Sequence, residues 1–152
     1  MPTYLRDTTL GSRSRKGLLM HTPTPAIPEK KRVLIVDDKP SDTRLVKLCL
    51  EQTNDYVVRE VNDAVSAMAT AEEFQPHLIL LDVRMPGMDG GDLAAGMRAN
   101  PKLNAVPIIF LTSLVTKNEV AAGSGRVGDF PIIAKPIVLP ELITCLRQYL
   151  GA

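Results

Sequence analysis

Residues 78–90 read LILLDVRMPGMDG: an apolar run, then a carboxylate, then a turn built on Pro86 and Gly87. Four consecutive apolar residues, Leu78 to Leu81, suit a short strand buried on both faces. Asp82 is the first residue to break the run. A lone carboxylate ending a buried strand is costly unless something pairs with it. Its partners must therefore come from other parts of the chain.

Working outward, the same grammar repeats. Val33-Leu34-Ile35-Val36 is a second short apolar run, and it ends in Asp37 and Asp38. Ser41 is placed to cap a following helix, with Asp42 in its first turn and Leu45, Leu48 and Cys49 along one face. Residues 56–61 read as a more polar strand that suits a sheet edge. Ala64, Ala67, Met68 and Ala71 carry the helical period over Asp63 to Phe74, and Pro76 stops it. After the opening stretch come a helix near Gly91–Ala99, a strand over Val106–Leu111, a strand near Pro131–Ala134 and a final helix over Pro140–Leu150. Strand and helix alternate with short links, and most strands are continuously apolar. This pattern implies a doubly wound five-stranded parallel sheet with helices on both faces.

Composition narrows the class. The 152 residues make one domain's worth of chain, with 45% hydrophobic residues, 23% charged and a net charge of +1. The longest apolar runs hold about five residues, far short of a membrane span. Cys49 and Cys145 lack metal-ligand spacing and are expected to be buried free thiols, which suits the cytoplasm. Residues 1–32 hold seven basic and two acidic residues, net +5, against eleven basic and fifteen acidic in the remainder, net −4. Residues 1–31, rich in Ser, Thr, Pro and Lys/Arg, are expected to be a disordered basic extension, and 32–152 the folded domain. A basic arm suits contact with nucleic acid or an acidic partner, but an extended gene start, with Met20 the true one, explains it equally well. No recognition helix or aromatic stacking pattern supports nucleic-acid binding.

In an open parallel sheet, ligands bind outside the carboxyl ends of the strands. The residues there are Asp37 and Asp38, Asp82, Thr112 and Lys135, while the edge strand contributes none. Taken singly these are ordinary; an Asp-Asp pair ahead of Pro40 can simply start a helix. At one edge of one sheet they become a set. Three clustered carboxylates repel and raise one another's pKa values. A hard divalent cation with oxygen ligands, Mg²⁺ for choice, resolves that conflict. Lys135 adds a counter-charge and Thr112 a hydroxyl, which makes a site for moving a phosphoryl group onto Asp82.

VLIVDDKPSDTRL, LILLDVRMPGMDG, PIIFLTS and IIAKP, in this order and spacing, resemble the receiver domain of two-component response regulators over residues 33–150. The resemblance implies a flavodoxin-like fold of strand order 2-1-3-4-5. It implies Asp82 as acceptor of a phosphoryl group from the phosphohistidine of a sensor histidine kinase or a phosphotransfer protein. Asp38, Asp82 and the backbone carbonyl of Arg84 would ligate Mg²⁺, with Asp37 acting mainly through water. Lys135 would pair with phosphoryl oxygens, held by a cis Lys135–Pro136 peptide, and Thr112 would swing in to bond the phosphoryl group.

Two features depart from the family. Ile132 stands where an aromatic residue is usual, with Phe130 the nearest alternative. The run VAAGSGRVGDFP, 120–131, holds three glycines where a fourth helix is usual, so only a short helix around Lys117–Ala122 is expected, then an irregular mobile loop through Asp129. By strand position Arg84 and Leu114, each two residues beyond a site residue, flank the approach of water to Asp82, and together they should slow hydrolysis.

With the last helix ending at Leu150, close to Ala152, no output domain is expected to follow. A stand-alone switch is therefore expected, acting on an unidentified downstream protein by contact or onward transfer, and not a conventional enzyme. The enzymatic rival, a haloacid dehalogenase-like aspartyl-phosphate phosphatase, needs an acid two residues after the nucleophile, where this chain has Arg84.

Overall fold

The computed structural model describes residues 29–113, 126–127 and 130–151. Five parallel strands form the sheet: β1 (Lys31–Val36), β2 (Tyr56–Val61), β3 (Leu78–Asp82), β6 (Ile108–Thr112) and β8 (Phe130–Ala134). Their spatial order is β2-β1-β3-β6-β8, the order expected, and the short strand β7 (Arg126–Val127) adds antiparallel to the β8 edge. A separate two-stranded ribbon, β4 (Arg84–Met85) and β5 (Met88–Asp89), follows β3 directly. Strand β1 begins at Lys31, paired with Tyr56. Residues 1–28 of the basic extension lie outside the described residues.

Alternation along the strands builds two cores. Val33, Ile35, Leu78, Leu80, Ile109 and Leu111 face helices α1 (Pro40–Glu51) and α4 (Leu139–Leu150) through Val46, Leu50, Leu142 and Leu146. The intervening residues Leu34, Val36, Ile79, Leu81, Ile108 and Phe110 face α2 (Ala67–Phe74) and α3 (Gly90–Ala99) through Ala67, Ala71, Leu93, Ala94 and Met97. Helices on both faces bury the apolar runs of the central strands completely, which explains why those runs are unbroken. Strand β2 alternates buried and exposed, as an edge strand with one covered face does.

Helix α1 corrects two expectations. Its cap is Lys39 with Pro40 at the first helical position, and no side chain caps it, so Ser41 does not serve. Its buried stripe is Thr43, Val46 and Leu50, whereas Leu45 and Leu48 are 60% and 53% exposed. The buried stripe tolerates a threonine because the Thr43 hydroxyl donates to Glu60 Oε1 at 2.8 Å and lies 3.1 Å from the Pro40 carbonyl. Cys49 and Cys145 are free but half-buried, not fully buried.

The other boundaries move by chemistry the apolar pattern does not carry. Helix α2 starts at Ala67, because Asp63 accepts hydrogen bonds from the Ser66 amide and hydroxyl and holds a turn ahead of it. It ends with Gln75 at φ +52°, where Pro76 disfavours the right-handed region. Residues 114–125 and 128–129 lie outside the described residues, and with them Leu114 and the expected short helix. Arg126–Val127 are strand, not irregular loop.

Candidate functional site

Register brings the site together. Val36 pairs with Leu81, so Asp37 and Asp82 fall side by side at the ends of β1 and β3. Asp82 pairs with Leu111, and Thr112 with Ala134, so Thr112 and Lys135 follow along the same edge. The Lys135 amide donates to the Thr112 carbonyl at 2.8 Å, and the Lys135–Pro136 peptide is cis.

Carboxylate oxygens of Asp37, Asp38 and Asp82 lie within 4.8 Å of one another. Asp37 is fully buried and Asp82 is 8% exposed. Lys135 Nζ stands 2.5 Å from Asp37 Oδ2, 3.4 Å from Asp42 Oδ2 and 3.9 Å from Asp82 Oδ2. The other oxygen of Asp37 accepts the Lys39 amide at 3.0 Å. Its backbone is clamped as well. The Asp37 amide donates to the Val61 carbonyl, and Asn62 Nδ2 donates to the Asp37 carbonyl at 2.8 Å and to the Thr43 hydroxyl at 2.9 Å.

The electrostatics follow from this packing. Burial, then the charge of Asp37, pushes the Asp82 carboxyl up to about 6; Lys135 and the Arg84 amide oppose the rise and Asp38 adds to it. For Lys135 burial acts downward, but the hydrogen bond and charge of Asp37, then Asp82 and Asp42, hold the ammonium above its ordinary value. Three oxygen donors at this separation suit a hard divalent ion, whose ligands lie about 2.1 Å from Mg²⁺ and so about 3–4 Å apart. Beyond Asp38 a cavity of ≈ 430 Å³, walled by Arg84, Met85, Met88 and Asp89, leaves room for the waters such an ion keeps.

The ribbon after β3 fixes the other wall. Gly87 at φ +80° follows Pro86, the conformation a type II turn requires at its third position. Asp89 accepts the Gly91 amide at 2.6 Å as the cap of α3. Gly90 lies so close to the β3 end that a Cβ there would collide with the Asp82 carbonyl oxygen and the Val83 backbone. The Arg84 side chain is exposed and lines the cavity that Asp38 also lines.

The structure therefore groups Asp37, Asp38, Asp82, Thr112 and Lys135, all of them legible in the sequence. Asp42 beside Lys135, the Thr43–Asn62 clamp and the close packing of Gly90 were not anticipated. The only advance signal for Asp42 was its place in the first turn after the Asp37-Asp38 pair.

Comparison with known proteins gives this arrangement its class. The response regulator receiver domain family matches residues 33–147. The chain is 30% identical over 122 residues to the polar-differentiation response regulator DivK of Brucella anthropi, covering 80% of this chain and 97% of that one. It is 30% identical over 119 residues to the DNA-binding dual master transcriptional regulator RpaA of Synechocystis sp., covering 78% of this chain. There the chain spans about half the length of its relative, 48%. Among solved structures, the receiver domain of sensor histidine kinase PA1611 from Pseudomonas aeruginosa PAO1, with a magnesium ion coordinated in its active-site cleft, superposes with a TM-score of 0.67 at 28% identity, over 82% of this chain and 100% of that one. The chain belongs to the response regulator receiver domain family, the phosphoryl-accepting switches of two-component signalling. Among the described residues no helix is long and apolar enough to cross a membrane.

Proposed function

We propose that Asp82 accepts a phosphoryl group from a phosphohistidine of a sensor kinase or phosphotransfer protein, in the cytoplasm. The observation that carries this is the near-buried Asp82 carboxylate, raised toward neutrality among Asp37 and Asp38 with the Lys135 ammonium 3.9 Å away. Asp38, Asp82 and the Arg84 carbonyl would hold Mg²⁺, with Asp37 acting mainly through water, and the ion would supply charge neutralisation at the phosphoryl oxygens.

An Asp82 oxygen attacks phosphorus in line with the leaving group. The new O–P bond forms as the P–N bond breaks, and the bond pair returns to the imidazole nitrogen. Lys135, held between three carboxylates, needs only to turn toward Asp82 to meet a phosphoryl oxygen. Thr112, 3% exposed at the same edge, offers its hydroxyl to that group once formed. Output then passes to another protein by contact or by onward transfer.

Acetyl phosphate tests the acceptor directly. Intact-protein mass spectrometry should show one added phosphoryl group in the presence of Mg²⁺, lost with EDTA and lost in Asp82→Asn. Full incorporation in Asp82→Asn would overturn the assignment.

A further inference from the structure

We propose that Asp42 acts as a brake on phosphorylation by drawing the Lys135 ammonium away from Asp82. The inference rests on the reading of Asp82 as acceptor and concerns how readily that acceptor is charged.

An ammonium offers three N–H donors and accepts nothing. Here one ammonium serves three carboxylates of different character. Asp37 is fixed: it is fully buried, hydrogen-bonded to Lys135, and its second oxygen is taken by the Lys39 amide. Asp82 stands 3.9 Å from Nζ, beyond hydrogen-bond length. Asp42 takes the intermediate place at 3.4 Å, from a half-exposed position in the first turn of α1. It lines a cavity of ≈ 430 Å³ together with Lys135, Lys39 and Ser113, so solvent reaches the Asp42–Lys135 pair from the side of α1.

A phosphoryl group on Asp82 places new anionic oxygens within reach of the same ammonium. Asp37 leaves two N–H groups on Lys135, and while one is drawn to Asp42 at 3.4 Å the ammonium stays 3.9 Å from Asp82, too far to bond it. The Asp42 charge also offsets part of the positive field that Lys135 presents to an arriving phosphodonor. Asp42 thus acts through Lys135 without touching the acceptor, and is a positioning residue. A purely structural role for an acid in a helix's first turn, favourable to the helix dipole, would show in stability and leave phosphorylation unmoved.

The test uses the whole chain, acetyl phosphate as donor and saturating Mg²⁺, so that any change in metal affinity drops out. Asp42→Asn should take up phosphoryl on the order of three- to fivefold faster at low ionic strength, as expected for one partly solvated charge pair. The gain should shrink in high salt, where such pairs are screened. Asp42→Glu, which keeps the charge and can reach the ammonium, should stay near the unaltered protein, and thermal melts should show all three folded. Uptake by Asp42→Asn equal to or slower than the unaltered protein, or an equal acceleration in Asp42→Glu, would overturn the proposal. Failure of the unaltered protein to take up any phosphoryl group would count instead against Asp82 as acceptor.

Discussion

At the scale of single residues, Asp82 carries two demands in opposition. As the proposed acceptor it must be a carboxylate, yet its packing favours the neutral acid up to about pH 6. Removing the charge should therefore stabilise the metal-free fold. In EDTA at pH 7.5, Asp82→Asn is expected to be more stable than the unaltered protein by about 1–3 kcal/mol, the free-energy equivalent of the raised carboxyl. Urea denaturation measures it, and a less stable variant would show that the acid cluster is satisfied without an ion. Arg84 gives a second residue-scale prediction. Its exposed side chain lies two residues beyond Asp82, on the wall of the cavity that Asp38 lines. A guanidinium there can cover a phosphoryl oxygen and obstruct in-line water. Arg84→Ala should shorten the lifetime of phosphorylated Asp82 by about two- to fivefold, a range set by one exposed charge-assisted contact. Phosphate release followed over time reads it, and an unchanged lifetime would remove Arg84 from the mechanism.

At the scale of elements, the join between β3 and α3 is the most tightly constrained part of the site. Gly90 donates its amide to the Val83 carbonyl at 2.7 Å, and its missing side chain lets the helix start press against the acceptor's own backbone. Gly90→Ala should destabilise the fold by about 2 kcal/mol or more, because the atoms a Cβ would meet are backbone atoms that cannot swing aside. It should also slow phosphoryl uptake, since any relief displaces Asp82. Equal stability in urea would show the strand end to be compliant. The elements themselves were largely legible, because four apolar residues ending in an acid have few other readings. Helix α1 was not. It carries two apolar stripes at helical spacing, and periodicity alone favoured Leu45, Leu48 and Cys49 over one containing a threonine. What decided the matter was Glu60 on the neighbouring strand, which satisfies Thr43 across 17 residues of sequence. Asp42 was hidden for the same reason. Its partner Lys135 lies 93 residues away, and an acid after a helix start has a sufficient local explanation. The strand-end acids differed because sheet topology, readable from the alternation of elements, gathers them without any pairwise signal.

At the scale of the whole molecule, two groups at opposite ends of β3 tie stability to pH in opposite directions. Asp82 binds its proton more tightly in the folded chain than the ordinary carboxyl value of 3.8 allows. Its contribution is fully present below about pH 4 and is lost as pH rises through about 6. His77 lies just before the start of the strand, where its Nδ1 accepts the Arg32 amide at 2.9 Å. Burial, then the charges of Arg32 and Lys31, hold its imidazole below the ordinary value of 6.5, with Glu29 opposing. Its contribution is therefore present above about 6.5 and fades as pH falls. In EDTA the Asp82 contribution falls between about pH 4 and 6 while that of His77 rises toward 6.5, so these two groups should make thermal stability fall from pH 4 to about 6 and recover only in part above it. Saturating Mg²⁺ binds the ionised cluster and should reverse that decline, adding about 2.7 kcal/mol at a hundredfold excess over its dissociation constant. The gain should be large at pH 7.5 and small at pH 5, where the proton competes with the ion for Asp82. Melting curves over this range, with Mg²⁺ and with EDTA, test the coupling. Equal stabilisation by Mg²⁺ at both pH values would place the ion away from the carboxylate that ends β3.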